Sequence, residues 1–279
     1  MDNNYARNQG LEILEKIIQE IGPIFSSEEA YDVGRQLSLK PIQVAKTLSK
    51  MTKSEWLTRL KRGLYAVRSP LFEADLHPFA VAQALVNPVA ISYWSAMMHH
   101  GLTTQIPPMV QASTPTKVVT PEMRFGEAYR PRGKTVWKVL DIEIEYIYVK
   151  QDKFWGFTQE WVSDWHRVKI TDLERTVFDL VARSDLFGGI SFAIEIINTN
   201  LVDIKVSRLV DYALRYDVGA YIKRLGWILE TNGIPEDVLE PLFRYETQNY
   251  HLLDPQGMKN GEPITRWNLY NNLRREIHG

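Results

Sequence analysis

SLKPIQVAKTLSKMTKSEWLTRLKRGLYAVR, residues 38–68, is the stretch on which the reading of the fold turns. Pro41 suits the first turn of a helix, where its missing N–H is no loss, and Ser38 just upstream is placed to cap the free backbone donors. Ile42, Ala45 and Leu48 recur three apart and share an apolar face. Gln43, Lys46, Thr47 and Lys50, at i, i+3, i+4 and i+7, form a stripe that is wholly polar and cationic. The second half then alternates around a glycine. Residues 56–60 and 64–67 read as two strands, joined at Lys61-Arg62-Gly63.

Charge concentrates in the same place. From Arg35 to Arg68 there are nine Lys or Arg and one acid, Glu55. The net charge of the chain is only −1, and residues 1–70 hold 11 basic and 8 acidic residues, so the remainder is mildly acidic. A polyanion is therefore expected to bind the first part. A basic helix followed by a basic-tipped hairpin is the arrangement with which a winged helix meets double-stranded DNA.

Upstream, Leu11, Leu14, Ile17, Ile18 and Ile21 trace a helical stripe that Gly22-Pro23 ends. Ser26-Ser27-Glu28-Glu29 joins a serine cap to first-turn acids and opens a helix running to about Gln36. Helix, capped helix, tight turn, basic helix and hairpin is the order of a winged helix-turn-helix. The expected fold is α+β: a winged helix-turn-helix at residues 1–70 followed by a larger mixed α+β domain at 71–279.

Residues 69–77 read as a linker, and His77-Pro78 opens a helix that Asn87-Pro88 stops. Val89 to His100 reads as a further apolar helix closed by Gly101. Strands are expected at 109–114, 117–120, 135–139, 142–150 and 161–170, with Glu143 and Glu145 on a solvated face. Helices follow. Thr171-Asp172-Leu173-Glu174 resembles a capping box into 175–183, and Arg175 with Asp179 makes an i, i+4 ion pair. Short helices at 191–198, 207–216, 218–231 and 235–245 precede a looped tail with one strand at 264–269.

The 279 residues include no cysteine, so disulfides and thiolate metal sites are excluded. The polar N-terminus carries no signal-peptide core, and no stretch is apolar enough to span a membrane, which together point to a cytoplasmic protein.

These residues resemble the AbiEi antitoxins, the regulator half of the AbiE phage-defence toxin–antitoxin pair. In the N-terminal part the likeness rests on Leu60-Lys61-Arg62-Gly63-Leu64-Tyr65. Further on it rests on three runs: residues 91–96 leading to His100-Gly101-Leu102-Thr103 and Gln105-Ile106-Pro107; residues 170–179; and residues 224–230. The resemblance implies that the N-terminal domain binds inverted repeats in the promoter of its own operon as a transcriptional repressor. It also implies that the second domain helps neutralise a nucleotidyltransferase-like toxin without forming a stable complex with it.

The expected DNA-binding residues are Ser38, Lys40, Gln43, Lys46, Thr47, Lys50, Arg59, Lys61 and Arg62. Gln43 and Thr47 are the candidates for base edges, and the lysines for phosphates. No cofactor, metal or catalytic residue is expected, and no Gly-rich phosphate loop or G-x-S-x-G elbow occurs. Two other classes fit the same outline. One is a metal-dependent nuclease using Asp172, Glu174 and Asp179 or Asp141, Glu143 and Glu145; the other is a ligand-sensing transcription factor. The first reading of those carboxylates is structural, as helix-start acids, an ion pair and a wet strand face. His99-His100 reads as a helix end, not a metal site, and Trp94, Trp137 and Trp227 as core.

Overall fold

The computed structural model describes residues 2–68, 76–126 and 133–273. The chain is α+β and divides into two units. The first comprises residues 1–91, 108–148 and 159–169, and the second residues 92–107, 149–158 and 170–279. Most of the expected linker, 69–75, lies outside the described residues.

The first unit begins with α1 (Asp2–Glu20), β1 (Ile24–Ser26), α2 (Ser27–Gln36), α3 (Pro41–Lys53), β2 (Leu57–Lys61) and β3 (Leu64–Val67). Ser26 caps α2 reciprocally: its hydroxyl accepts from the Glu29 N–H at 3.1 Å, and the Glu29 carboxylate accepts from the Ser26 N–H at 2.6 Å. The three strands form a sheet in the order β1-β3-β2, antiparallel throughout. β1 has no counterpart in the sequence reading, because three residues beside a helix cap are too few to show an alternation. Ile13, Leu14, Ile17, Phe25, Val33, Val44, Leu48, Leu57 and Val67 pack together as one core beneath the three helices.

The turn from α2 to α3 differs from its expected form. Ser38 does not cap α3. It takes a left-handed conformation, φ 59, one residue past Leu37, the C-cap of α2. Its N–H donates to the Arg35 carbonyl at 3.0 Å, and the Leu39 N–H donates to the Gly34 carbonyl at 2.9 Å. That pair of bonds is a Schellman closure, which satisfies the last carbonyls of α2 and sets the angle at which α3 leaves. Lys40 is the N-cap of α3, and its N–H is taken by the Gln43 Oε1 at 2.8 Å.

Farther along the first unit are α4 (Pro78–Leu85), β4 (Ala90–Ile91), β5 (Val110–Thr114), α6 (Pro121–Arg124), β6 (Lys134–Val139) and β7 (Ile142–Tyr148). The hairpin of β8 (Phe157–Trp161) and β9 (Arg167–Thr171) completes a six-stranded mixed sheet, ordered β6-β7-β5-β4-β9-β8. β5 runs parallel to β7, while β6 is antiparallel to β7 and β4 antiparallel to β5. The expected helix at 89–100 therefore starts as a strand, because a short apolar run suits a buried strand as well as a helix. Residues 117–120 form no strand. Glu145 is not on a wet face: it is buried, accepts from Gln111 Nε2 at 2.8 Å and pairs with Lys134 at 3.4 Å.

The second unit holds α5 (Tyr93–His99), α7 (Leu173–Ala182), α8 (Ile190–Asn200), α9 (Val206–Tyr216), α10 (Gly219–Thr231) and α11 (Glu236–Arg244). A small sheet of β10 (His251–Leu252), β12 (Leu269–Asn271) and β11 (Glu262–Ile264) replaces the single strand expected in the tail. Its anchor is Trp267, fully buried, whose Nε1 donates to Glu230 at 2.6 Å. Trp137 is buried, while Trp94 and Trp227 are half-buried.

Candidate nucleic-acid interface

α3 buries Val44, Leu48 and Met51, a seam at i, i+4 and i+7. The helix is thus rotated from the expected Ile42–Ala45–Leu48 face. Ala45 is half-buried, and Ile42 is 61% exposed. The cause lies in α2. Gly34 offers no side chain, and Val44 fills the space: a Cβ built on Gly34 would lie 2.3 Å from Val44 Cγ2. This close approach of α2 and α3 selects the Val44 face over its competitor.

The outward side of α3 carries Gln43, Lys46, Ser49, Lys50 and Lys53, all exposed. Thr47 is half-buried, with its methyl beside Gly10 of α1. Lys40 and Ser38 are exposed at the entry to the helix. Ser54, Glu55 and Trp56 lead from α3 into the hairpin, where β2 and β3 are joined by Arg62-Gly63. Gly63 takes φ 74, which a glycine adopts without strain, and its carbonyl accepts from the Ser27 N–H at 2.9 Å. The tip of the wing is thereby tied to the start of α2, with Arg62 and Arg59 exposed.

Lys61 has a further task. Its Nζ donates to the Ala84 carbonyl at 3.1 Å and the Leu85 carbonyl at 2.7 Å, at the end of α4. A lysine there satisfies carbonyls left open by the helix end. Burial, and then the Arg124 guanidinium, lower its pKa below the usual lysine value. Arg124 is exposed on α6. Arg130 and Arg132 lie outside the described residues.

Of the carboxylates considered for a nuclease, Asp172, Glu174 and Asp179 are engaged in the helical unit. Asp172, not Thr171, is the N-cap of α7: its Oδ1 accepts from the Arg175 N–H at 2.8 Å. Its Oδ2 accepts from Arg208 at 2.9 Å and from Tyr212 Oη at 2.7 Å. Glu174 accepts from the Lys205 N–H at 3.1 Å. Arg175 and Asp179 form the expected pair at 2.9 Å, with side chains only 5% and 4% exposed. The guanidinium also donates to the Trp155 and Lys153 carbonyls and lies 4.4 Å from the centre of the Trp155 ring. Burial pushes the Asp179 carboxyl up against the pull of Arg175. Glu143 pairs with Lys138 at 2.5 Å. His99 ends α5, and His100 donates to the Thr171 carbonyl at 2.7 Å. Among the described residues, no group of three or more His, Asp or Glu could hold a metal ion.

Three helices, a Schellman turn, an exposed cationic α3 and a basic two-residue wing define a winged helix-turn-helix. Within that class, residues 12–68 match the family model described as "Transcriptional regulator, AbiEi antitoxin", so this segment is similar to that family. The runs at 91–107, 170–179 and 224–230 lie beyond the matched residues. Over the whole chain, the fold is similar to the crystal structure of the RV2827C protein from Mycobacterium tuberculosis. The TM-score is 0.62 at 12% identity, covering 95% of this chain and 92% of that one. No curated protein matches the sequence. Among the described residues, no helix is long and apolar enough to cross a membrane.

Proposed function

We propose that this chain is the antitoxin of an AbiE-like toxin–antitoxin pair and represses its own operon by binding inverted repeats in the promoter. In this reading α3 enters the major groove. Gln43 meets base edges near the start of the helix, and Lys40, Lys46, Lys50, Arg59 and Arg62 hold phosphates. Ser38, Thr47 and Lys61 belong to the same surface, with part of their role inside the domain. The observation that carries the reading is the outward stripe of Gln43, Lys46 and Lys50 beside a wing tipped by exposed Arg62, in a segment matching a transcriptional-regulator family.

The counterpart is a nucleotidyltransferase-like toxin, opposed without a stable complex. DNA binding belongs to residues 1–70 and antitoxicity to 71–279, in a cytoplasmic protein. Likeness of the runs at 91–107, 170–179 and 224–230 to the AbiEi pattern supports the second half of this reading.

The test uses the full chain in cells carrying the toxin and a promoter reporter. Lys46→Glu combined with Arg62→Glu should abolish repression while leaving at least partial protection. Repression at the wild-type level would refute the docking face. Joint loss of repression and protection in a folded variant would refute the division of labour.

A further inference from the structure

We infer that Ile42 is a specificity-determining residue that packs on the 5-methyl group of a thymine in the major groove. The inference rests on the DNA-binding reading above and adds a base identity to it.

Ile42 is the second residue of α3 and is 61% exposed, although the chain had an inward place for an apolar residue two positions on, at Val44. At about 100° per residue, it stands roughly 150° round the helix from the middle of the Val44–Leu48–Met51 seam. The same count puts it within about 40° of Lys46, Ser49 and Lys53, all exposed. It is therefore an exposed apolar residue at the edge of the arc on which Lys53, Lys46 and Lys50 stand. A lone exposed apolar side chain is ordinary on a general surface. Here its position makes it informative, because residues at the start of a recognition helix are those that reach base edges.

The floor of the major groove offers hydrogen-bonding groups at every base pair and one apolar group, the thymine methyl. A branched aliphatic side chain with no polar atom can match only that group. The next residue, Gln43, is held along the first turn by the bond its Oε1 accepts from the Lys40 N–H, which leaves its Nε2 able to donate. The two residues would then read adjacent positions, one by shape and apolar contact and one by hydrogen bonding.

The experiment uses the full-length chain. Binding sites are selected from a randomised duplex pool, and each thymine of the selected site is replaced in turn by deoxyuridine, which lacks only the methyl. At one thymine per half-site, wild-type protein should lose about fourfold in affinity, the equivalent of ~0.8 kcal/mol for one buried methyl-sized group. Ile42→Ala should bind the thymine site several-fold more weakly and show no further loss with deoxyuridine at that position. Lys46→Ala serves as the comparison, weakening all duplexes while remaining sensitive to the methyl.

Indifference of the wild type to every deoxyuridine replacement overturns the inference, as does a selected site without thymine. Equal loss by Ile42→Ala on selected and random duplexes, or a change in its oligomeric state, assigns the residue another role and also overturns it. In these cases selective binding still stands, and so does the DNA-binding reading. Failure to select any site, by contrast, removes both.

Discussion

The approach of α2 to α3 fixes how the recognition helix is presented, and Gly34→Ala tests it. The added Cβ would lie 2.3 Å from Val44 Cγ2 but 3.6 Å from Val44 Cβ. Carbon atoms in comfortable contact sit about 3.5–4.0 Å apart, so the helices would have to part locally by on the order of 1 Å. The substitution gains about 1 kcal/mol of helix propensity, and overpacking costs about 1–3 kcal/mol, giving a net loss of up to ~2 kcal/mol. Val44→Ala alone removes two buried methyl groups and costs about 2 kcal/mol once the cavity is included. The double variant keeps only the ordinary 3.6 Å approach, and the new methyl fills part of the space. It should therefore be more stable than the sum of the single variants by about 1 kcal/mol or more. Hydrogen exchange of α2 and α3 amides in the full chain measures the local free energies. Additivity within about 0.3 kcal/mol, or stabilisation by Gly34→Ala alone, would refute the close-packing account.

Other substitutions have equally definite outcomes. Ser38→Gly should raise the local stability of α2 and α3 by about 0.5–1 kcal/mol, because glycine takes the left-handed position without a Cβ penalty; unchanged amide protection would contradict it. Lys61→Ala should lower the thermal stability of the first unit by about 1–2 kcal/mol, and Arg62→Ala should not, since Lys61 bonds to the end of α4 while Arg62 is exposed. Asp179→Ala leaves Arg175 buried without its carboxylate and should cost about 3–5 kcal/mol in the helical unit, read by urea unfolding. Burial, and then His77, lower the pKa of His166, so the folded state takes up its proton later than the unfolded chain. Stability from this group is therefore full above the unfolded value of ~6.5 and falls as pH drops below it; His166→Phe should flatten that part of the stability–pH curve.

What was legible in the sequence was the local chemistry. Ser26 and Glu29 announce the start of α2, and Gly63 the wing, each within a few residues of what it controls. The Arg175–Asp179 pair was legible for the same reason, four residues apart on one helix. What stayed hidden depends on partners distant in sequence. Ile42 and Val44 are equally apolar, and the space opposite Gly34 decides between them. Glu145 reads as a wet-face residue until Lys134 and Gln111 arrive from neighbouring strands. Lys61 reads as a free wing cation until the end of α4 comes within reach of its ammonium. The left-handed turn at Ser38 carries no glycine or asparagine to mark it. The cationic stripe was thus legible as a set of residues, while the exposed Ile42 at its edge emerged only from packing.

The central claim is that α3 and the wing hold DNA through their exposed cations. Its most direct test is the salt dependence of binding by the full chain to its own promoter, wild type against the Lys46→Ala, Lys50→Ala, Arg62→Ala triple variant. Removing the partner of one phosphate should flatten the log–log slope by about 0.9, so the triple variant should show a slope smaller by about 2.7 and a much weaker affinity at low salt. Equal slopes for the two folded proteins would contradict the claim.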